Sequence, residues 1–166
     1  MTTATLVPVA EYLASSYEPD CDYIDGEVLE RNMGELGHGV LQLRIGMWLM
    51  ARAERYGIYP GVEVRVRISD QRYRIPDIVV LAADAPRDPV IVHPPMLCVE
   101  ILSRSDTLSS IWKRIEDYFS IGVPVCWIVD PASRDAFIAT PAGLKKVTDG
   151  FLRAGEIEVP LTEVFE

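Results

Sequence analysis

Two acids in this 166-residue chain stand where acids are costly. Asp77 follows Arg74-Ile75-Pro76 and opens the apolar run Ile78-Val79-Val80-Leu81. Glu100 interrupts a second run, between Met96-Leu97-Cys98-Val99 and Ile101-Leu102. Such runs read as strands covered on both faces. A carboxylate buried there without a partner costs several kcal/mol, so each acid needs a cation or strong donors beside it. On neighbouring strands the pair could share one cation, either a metal ion or a basic side chain. Alternatively, each acid pairs with one of the nearby arginines. Carboxylate oxygens are hard ligands that suit Mg2+ or Mn2+, and magnesium typically takes only one or two of them from a protein. Asp77 and Glu100, with Glu27 as a third acid, match that sparse set. A metal so held polarises a phosphodiester and activates a water, while a neighbouring cationic side chain stabilises the phosphate charge in the transition state.

Other chemistries lack their residues. There is no phosphate-cradling glycine loop, no GxGxxG and no nucleophile elbow. The cysteines Cys21, Cys98 and Cys126 are far apart and odd in number, with no zinc spacing, and read as buried free thiols of a reducing cytoplasm. His93 precedes Pro94-Pro95 and reads as a loop residue. His38 falls in the first turn of a helix, where histidine is usually a surface or cap residue. The formal net charge of -9 argues against tight non-specific binding to nucleic acid but leaves room for a local basic cleft. The N-terminus lacks a basic region and a long apolar core, so no secretion signal is expected. No apolar run is long enough to span a bilayer.

The elements that must position these residues follow from periodicity. Val9–Ala14 suggests a short helix. Asp25-Gly26 joins two strand-like runs as a hairpin, with Glu27 opening the second strand. A long helix is expected from about Glu35 to Tyr56, stopped by Gly57. It carries one apolar stripe of Leu36, Val40, Leu43, Met47 and Met50 and another of Leu41, Ile45 and Trp48, so it should be buried on both sides. Residues 62–68 alternate as a half-covered strand, and Arg65, Arg67, Arg72 and Arg74 collect around the hairpin after it. That cluster reads as a solvated face in preference to a phosphate-contacting patch. After the Glu100 strand, Ser103 to Thr107 offers N-caps for a helix buried through Leu108, Ile111, Trp112, Ile115 and Phe119 and stopped at Gly122. Pro124 to Asp130 is a further buried strand. Arg134–Thr140 and Leu144–Val147 form an outer hairpin, and Ile157–Phe165 an extended tail. The length suits a single domain over 1–166 with its own core.

In this order, Ile24-Asp25-Gly26-Glu27, His38, Pro76-Asp77, Val99-Glu100-Ile101-Leu102-Ser103, Gly122-Val123-Pro124 and Trp127-Ile128-Val129-Asp130-Pro131 resemble the Uma-two family of the PD-(D/E)XK nuclease superfamily, described as restriction endonucleases. The resemblance implies an α/β, restriction-endonuclease-like fold: a central mixed β-sheet flanked by helices. It implies metal binding by Asp77 and Glu100, assistance from Glu27, and a site histidine at His38. The superfamily lysine two residues after the second acid is Leu102 here. The family supplies a lysine from the following helix instead, and the matching position is Arg114. Lys113 is adjacent but turned about 100° away, where it would pair with Asp117 at i+4. Arg114 can stabilise charge, and its planar fork suits a carboxylate such as Glu100, but it cannot act as a base. The resulting expectation is a cytoplasmic, divalent-metal-dependent endonuclease hydrolysing DNA phosphodiester bonds, using Asp77, Glu100, Glu27 and Arg114 or Lys113. The alternative is a nuclease-fold protein with weakened catalysis that serves as a binding or regulatory module. DNA is the expected partner, and a homodimer is the arrangement by which a small nuclease often cuts both strands.

Overall fold

The structure, a computed structural model, describes residues 5–31 and 34–165. Helix α1 (Val9–Ala14) precedes the hairpin β1 (Asp22–Ile24) and β2 (Glu27–Leu29). Its two turn residues, Asp25 and Gly26, both have positive φ, 49° and 96°, as the tightest right-twisted hairpins require. The expected long helix is α2 (Leu36–Ala51) and a last turn, α3 (Ala53–Tyr56), separated by a distortion at Arg52. Gly57, in the left-handed region at φ 62°, ends it. The strands β3 (Ile58–Val62), β4 (Val66–Ser69), β5 (Arg72–Arg74), β6 (Ile78–Ala82) and β7 (Leu97–Ile101) follow. Then come α4 (Leu108–Ser120), β8 (Cys126–Val129), β9 (Ala136–Thr140), β10 (Gly143–Lys146), β11 (Phe151–Ala154), β12 (Ile157–Pro160) and α5 (Leu161–Val164).

The central sheet has the order β10-β9-β8-β7-β6-β3. Only β7 and β8 are parallel, because α4 carries the chain back between them; the other neighbours are antiparallel, so the sheet is mixed. Leu41, Ile45, Trp48 and Leu49 of α2 cover one face over Ile78, Val80, Leu97, Val99 and Ile101. Ile111, Ile115 and Tyr118 of α4 cover the other over Val79, Leu81, Cys98, Cys126 and Ile128. Covering both faces is what makes β6, β7 and β8 read as continuous apolar runs. A second sheet, β2-β1-β5-β4, packs Tyr23 and Tyr73 against Tyr12 of α1. The three cysteines are free and buried.

Several expectations change. Residues 62–68 are not one strand: β3 ends at Val62, Glu63 turns the chain at φ 52°, and β4 continues in the second sheet. Pro60 is accommodated because β3 is an edge strand. The tail is a strand and a helical turn rather than an extended segment. Leu108 is exposed at the start of α4, where Thr107 and Ser110 form a reciprocal capping box. The largest change is on α2. The stripe of Leu41, Ile45 and Trp48 is buried, but Leu36, Val40, Leu43, Met47 and Met50 all face outward.

Candidate functional site

Strands β6 and β7 pair with Ile78 opposite Val99. Asp77 stands in a bend just before β6, near enough that its charge bears on Glu100, whose side chain points to Tyr118 of α4. Asp77 is 2% exposed and Glu100 3%.

The two carboxylates are held differently. Oδ2 of Asp77 accepts the backbone N–H of Ile101 at 2.7 Å. Its Oδ1 accepts from Nη2 of Arg31 at 2.6 Å and lies 3.3 Å from Nε2 of His38. Burial pushes this carboxyl up, but the His38 hydrogen bond, the Arg31 charge and the Ile101 N–H together hold it below the usual carboxylate range. The same contact raises His38 against the effect of its burial. Glu100 instead accepts the Tyr118 hydroxyl at 2.5 Å on Oε1. Burial, opposed by Arg114 and reinforced by the charge of Asp77, pushes it up to about 7. One acid of the pair is therefore ionised at neutral pH and the other lies near its midpoint.

Arg114 reaches the acids from the border of the buried stripe on α4. Its Nη1 donates to Oδ2 of Asp22 at 2.5 Å and its Nη2 to the carbonyl of Ile75 at 2.8 Å. Its Nε is 3.2 Å from Oε1 of Glu100 but out of line, and it is a buried polar atom without a hydrogen bond. The expected bidentate pair with Glu100 is thus corrected: the fork is taken by Asp22 and a backbone carbonyl. Behind it, Arg74 joins Asp22 to Asp117 at 3.1 and 2.7 Å, and Arg72 bonds Asp117 at 2.9 Å.

Asp77, Glu100, Arg114 and His38 line one open cleft of about 560 Å3. Glu27 and Lys113 do not: both are exposed outside the lining. Glu27 fails because β2 turns it outward, and Glu30 from the same segment reaches the cleft instead. Lys113 also lacks the expected partner, since Asp117 is buried and taken by Arg72 and Arg74. The arginine cluster is not a solvated face. Arg65 holds Asp20 at 2.8 and 2.7 Å and Arg74 is mostly buried, while Arg67 and Arg72 also pair with exposed acids, Asp70 and Asp25.

Asp22 and Arg31 went unassigned in the sequence. Asp22 is 2% exposed and sits between Cys21 and Tyr23, the same acid-in-an-apolar-run signature as Asp77. Arg31 carries no local signal, because its partner lies 46 residues away.

A family model named Uma2, described as "Putative restriction endonuclease", matches residues 9–163. The chain belongs to the Uma2 family. The crystal structure of a nuclease, described as putative and belonging to DUF820, from Anabaena variabilis ATCC 29413 superposes with a TM-score of 0.83. That protein is 20% identical, with 96% of this chain and 97% of that chain covered, so the likeness is one of fold. No curated protein matches the chain. The fold is the mixed sheet with flanking helices that the Uma2 resemblance implied.

The Uma2 cleft can be compared with a metal's needs. Among the described residues, no group of three or more His, Cys, Asp or Glu is arranged to hold a metal ion. The cleft offers two carboxylates and open solvent, the donor set that magnesium takes from proteins when it keeps several waters. Seven acids line it (Asp22, Glu30, Glu35, Glu63, Asp77, Glu100, Asp106) against three arginines (Arg31, Arg74, Arg114). Such a lining draws cations, and the residues fit a divalent ion once Arg31 leaves Asp77.

Proposed function

We propose that this protein is a divalent-metal-dependent nuclease that hydrolyses DNA phosphodiester bonds. The observation that carries the reading is that Asp77 and Glu100 line one acid-rich cleft, in a chain of a family described as restriction endonucleases. Asp77 and Glu100 would hold Mg2+ or Mn2+. When bound, such an ion supplies Lewis acidity to the phosphodiester and makes a nearby water more acidic. Asp77 is already ionised for this role. Glu100, at about 7, would give up its proton to take this role. Arg114 is held rigidly by Asp22 and the Ile75 carbonyl, so it presents a fixed positive charge beside the acids at no cost of reorganisation. Arg31 must release Asp77 and is then free to contact the phosphate backbone. His38, beside Asp77, is raised toward the imidazolium and can donate a proton to a departing oxygen.

The test is nicking of supercoiled plasmid with Mg2+ or Mn2+ by wild type and Asp77→Asn. Cleavage by wild type that falls at least a hundredfold in Asp77→Asn, about 2.7 kcal/mol in the barrier, supports the reading. Equal activity in both proteins removes Asp77 from the site. One observation favours a second reading, a binding or regulatory module: both acids already have arginine beside them, and Arg114 stands where the family resemblance expects a lysine. Metal-dependent DNA binding without any cleavage would select it.

A further inference from the structure

Among the described residues, nothing covers the outer stripe of α2. Leu36 is 85% exposed, Leu43 62%, Met47 61%, Met50 54% and Val40 42%. Their positions advance by four, three, four and three residues, the a/d repeat of a two-helix coiled coil. The positions flanking this seam are mostly small, Gly37, Gly39, Gly46 and Ala51, so another backbone can approach closely. Adding a Cβ at Gly39 would meet nothing within 4 Å. The opposite side of the helix, at Leu41, Ile45, Trp48 and Leu49, is spent on the core. A helix apolar on all sides is ordinarily buried on all sides; here the fold buries one half. Val62 and Pro60 of the edge strand β3 extend the apolar surface, enclosing a groove with Leu43, Gly46, Met47 and Met50.

We infer that this face is the dimer interface, covered by α2 of a second copy of this chain running antiparallel across a twofold axis near Leu43. Three observations select this occupant. First, the seam can meet its own copy: reversal about Leu43 sets Leu36, seven residues before it, against the partner's Met50, seven after it, and sets Val40 and Met47 over the bare backbone of the partner's Gly46 and Gly39. Second, the area suffices. The exposed parts of the five stripe residues with Val62 amount to roughly 600 Å2, most of the ~800 Å2 per partner of a standard stable interface. Third, the antiparallel sense opposes the two helix dipoles, which a parallel pair would align. The inference does not depend on the nuclease reading.

Sedimentation velocity of the full chain tests it, with Leu43→Glu as the variant, since that change sets two carboxylates against each other on the axis. Wild type is expected at twice the chain mass at micromolar concentration. Leu43→Glu is expected to be monomeric, with the dissociation constant raised at least a hundredfold and the melting temperature of the monomer unchanged, because Leu43 makes little contact within its own chain. Cysteine cross-linking fixes the direction, free of background from the three buried native thiols. Leu43→Cys should link to itself, and Leu36→Cys should link to Met50→Cys but not to itself. A monomeric wild type would overturn the inference and leave the face to a different protein. So would a dimer indifferent to Leu43→Glu. Self-linking of both Leu36→Cys and Met50→Cys would overturn the antiparallel arrangement.

Discussion

Asp77 and Glu100 line one cleft, yet their protons belong to different pH ranges. Asp77 lies below its ordinary value, so its contribution to stability is present above about 3.8 and is lost as pH falls through its lowered folded-state value. Glu100 has the opposite sign. Its folded value of about 7 lies above the ordinary 4.5, so its contribution is full below 4.5 and is lost as pH rises toward 7 and beyond. That loss is on the order of 3 kcal/mol. His38, also raised, adds a loss that begins near 6.5. Metal-free protein should therefore melt highest near pH 5 and progressively lower toward pH 8. Glu100→Gln should flatten much of that slope and melt above wild type at pH 8; an unchanged slope would mean that Glu100 is not the group responsible. Asp77→Asn should lower the melting temperature of the metal-free protein, because Asp77 is the partner of Arg31 and His38. Arg31 occupies the oxygen that a metal needs. Arg31→Met should consequently raise Mn2+ affinity in calorimetry about tenfold, or 1.4 kcal/mol, and an affinity that falls would make Arg31 a support of the site.

At the scale of elements, α4 is tied to the sheets by arginine rather than by apolar packing alone. Arg114 spans from α4 to Asp22 on β1 and to Ile75 beyond β5, while Arg72 and Arg74 of β5 reach back to Asp117 on α4. Removing one member of such a buried set leaves a charge without its counter-ion, which costs about 3 kcal/mol. Arg114→Ala should lower the unfolding free energy measured by denaturant titration by that amount. Arg114→Lys should cost less, since it keeps the charge and loses part of the fork. The compact ammonium is also the group that the family resemblance expects at this position. On the nuclease reading, Arg114→Lys should raise Mg2+-dependent nicking about tenfold. If Arg114→Ala cleaves as well as wild type, Arg114 serves the fold alone. The sequence could place these residues on their elements, since Arg114 borders the stripe of Ile111 and Ile115. It could not show that Asp117, one turn on, is buried, because a helical acid near Lys113 reads equally well as a surface ion pair.

At the scale of the whole molecule, a net charge of -9 and an acid-rich cleft oppose DNA. Binding should require the metal: in chelator the protein should not retain duplex DNA on a filter, and with Ca2+ it should, with a shallow salt slope because few phosphates meet a basic side chain. Retention in chelator at physiological salt would point to a basic surface elsewhere. What the sequence determined by itself were the local features: the buried strands, the Asp25-Gly26 turn, the Thr107 cap, the Gly57 and Gly122 stops, and the two acids in apolar runs. Each is written in neighbouring residues, through period, propensity or the cost of a buried charge. The tertiary structure alone decided which partners close those charges, since Arg31 and Asp77 lie 46 residues apart and Arg114 and Asp22 lie 92. It also decided which half of an evenly apolar helix is turned inward. Periodicity marks both stripes of α2 alike, and only the finite width of the sheet, which has room for one, leaves Leu36, Val40, Leu43, Met47 and Met50 outside the chain's own core.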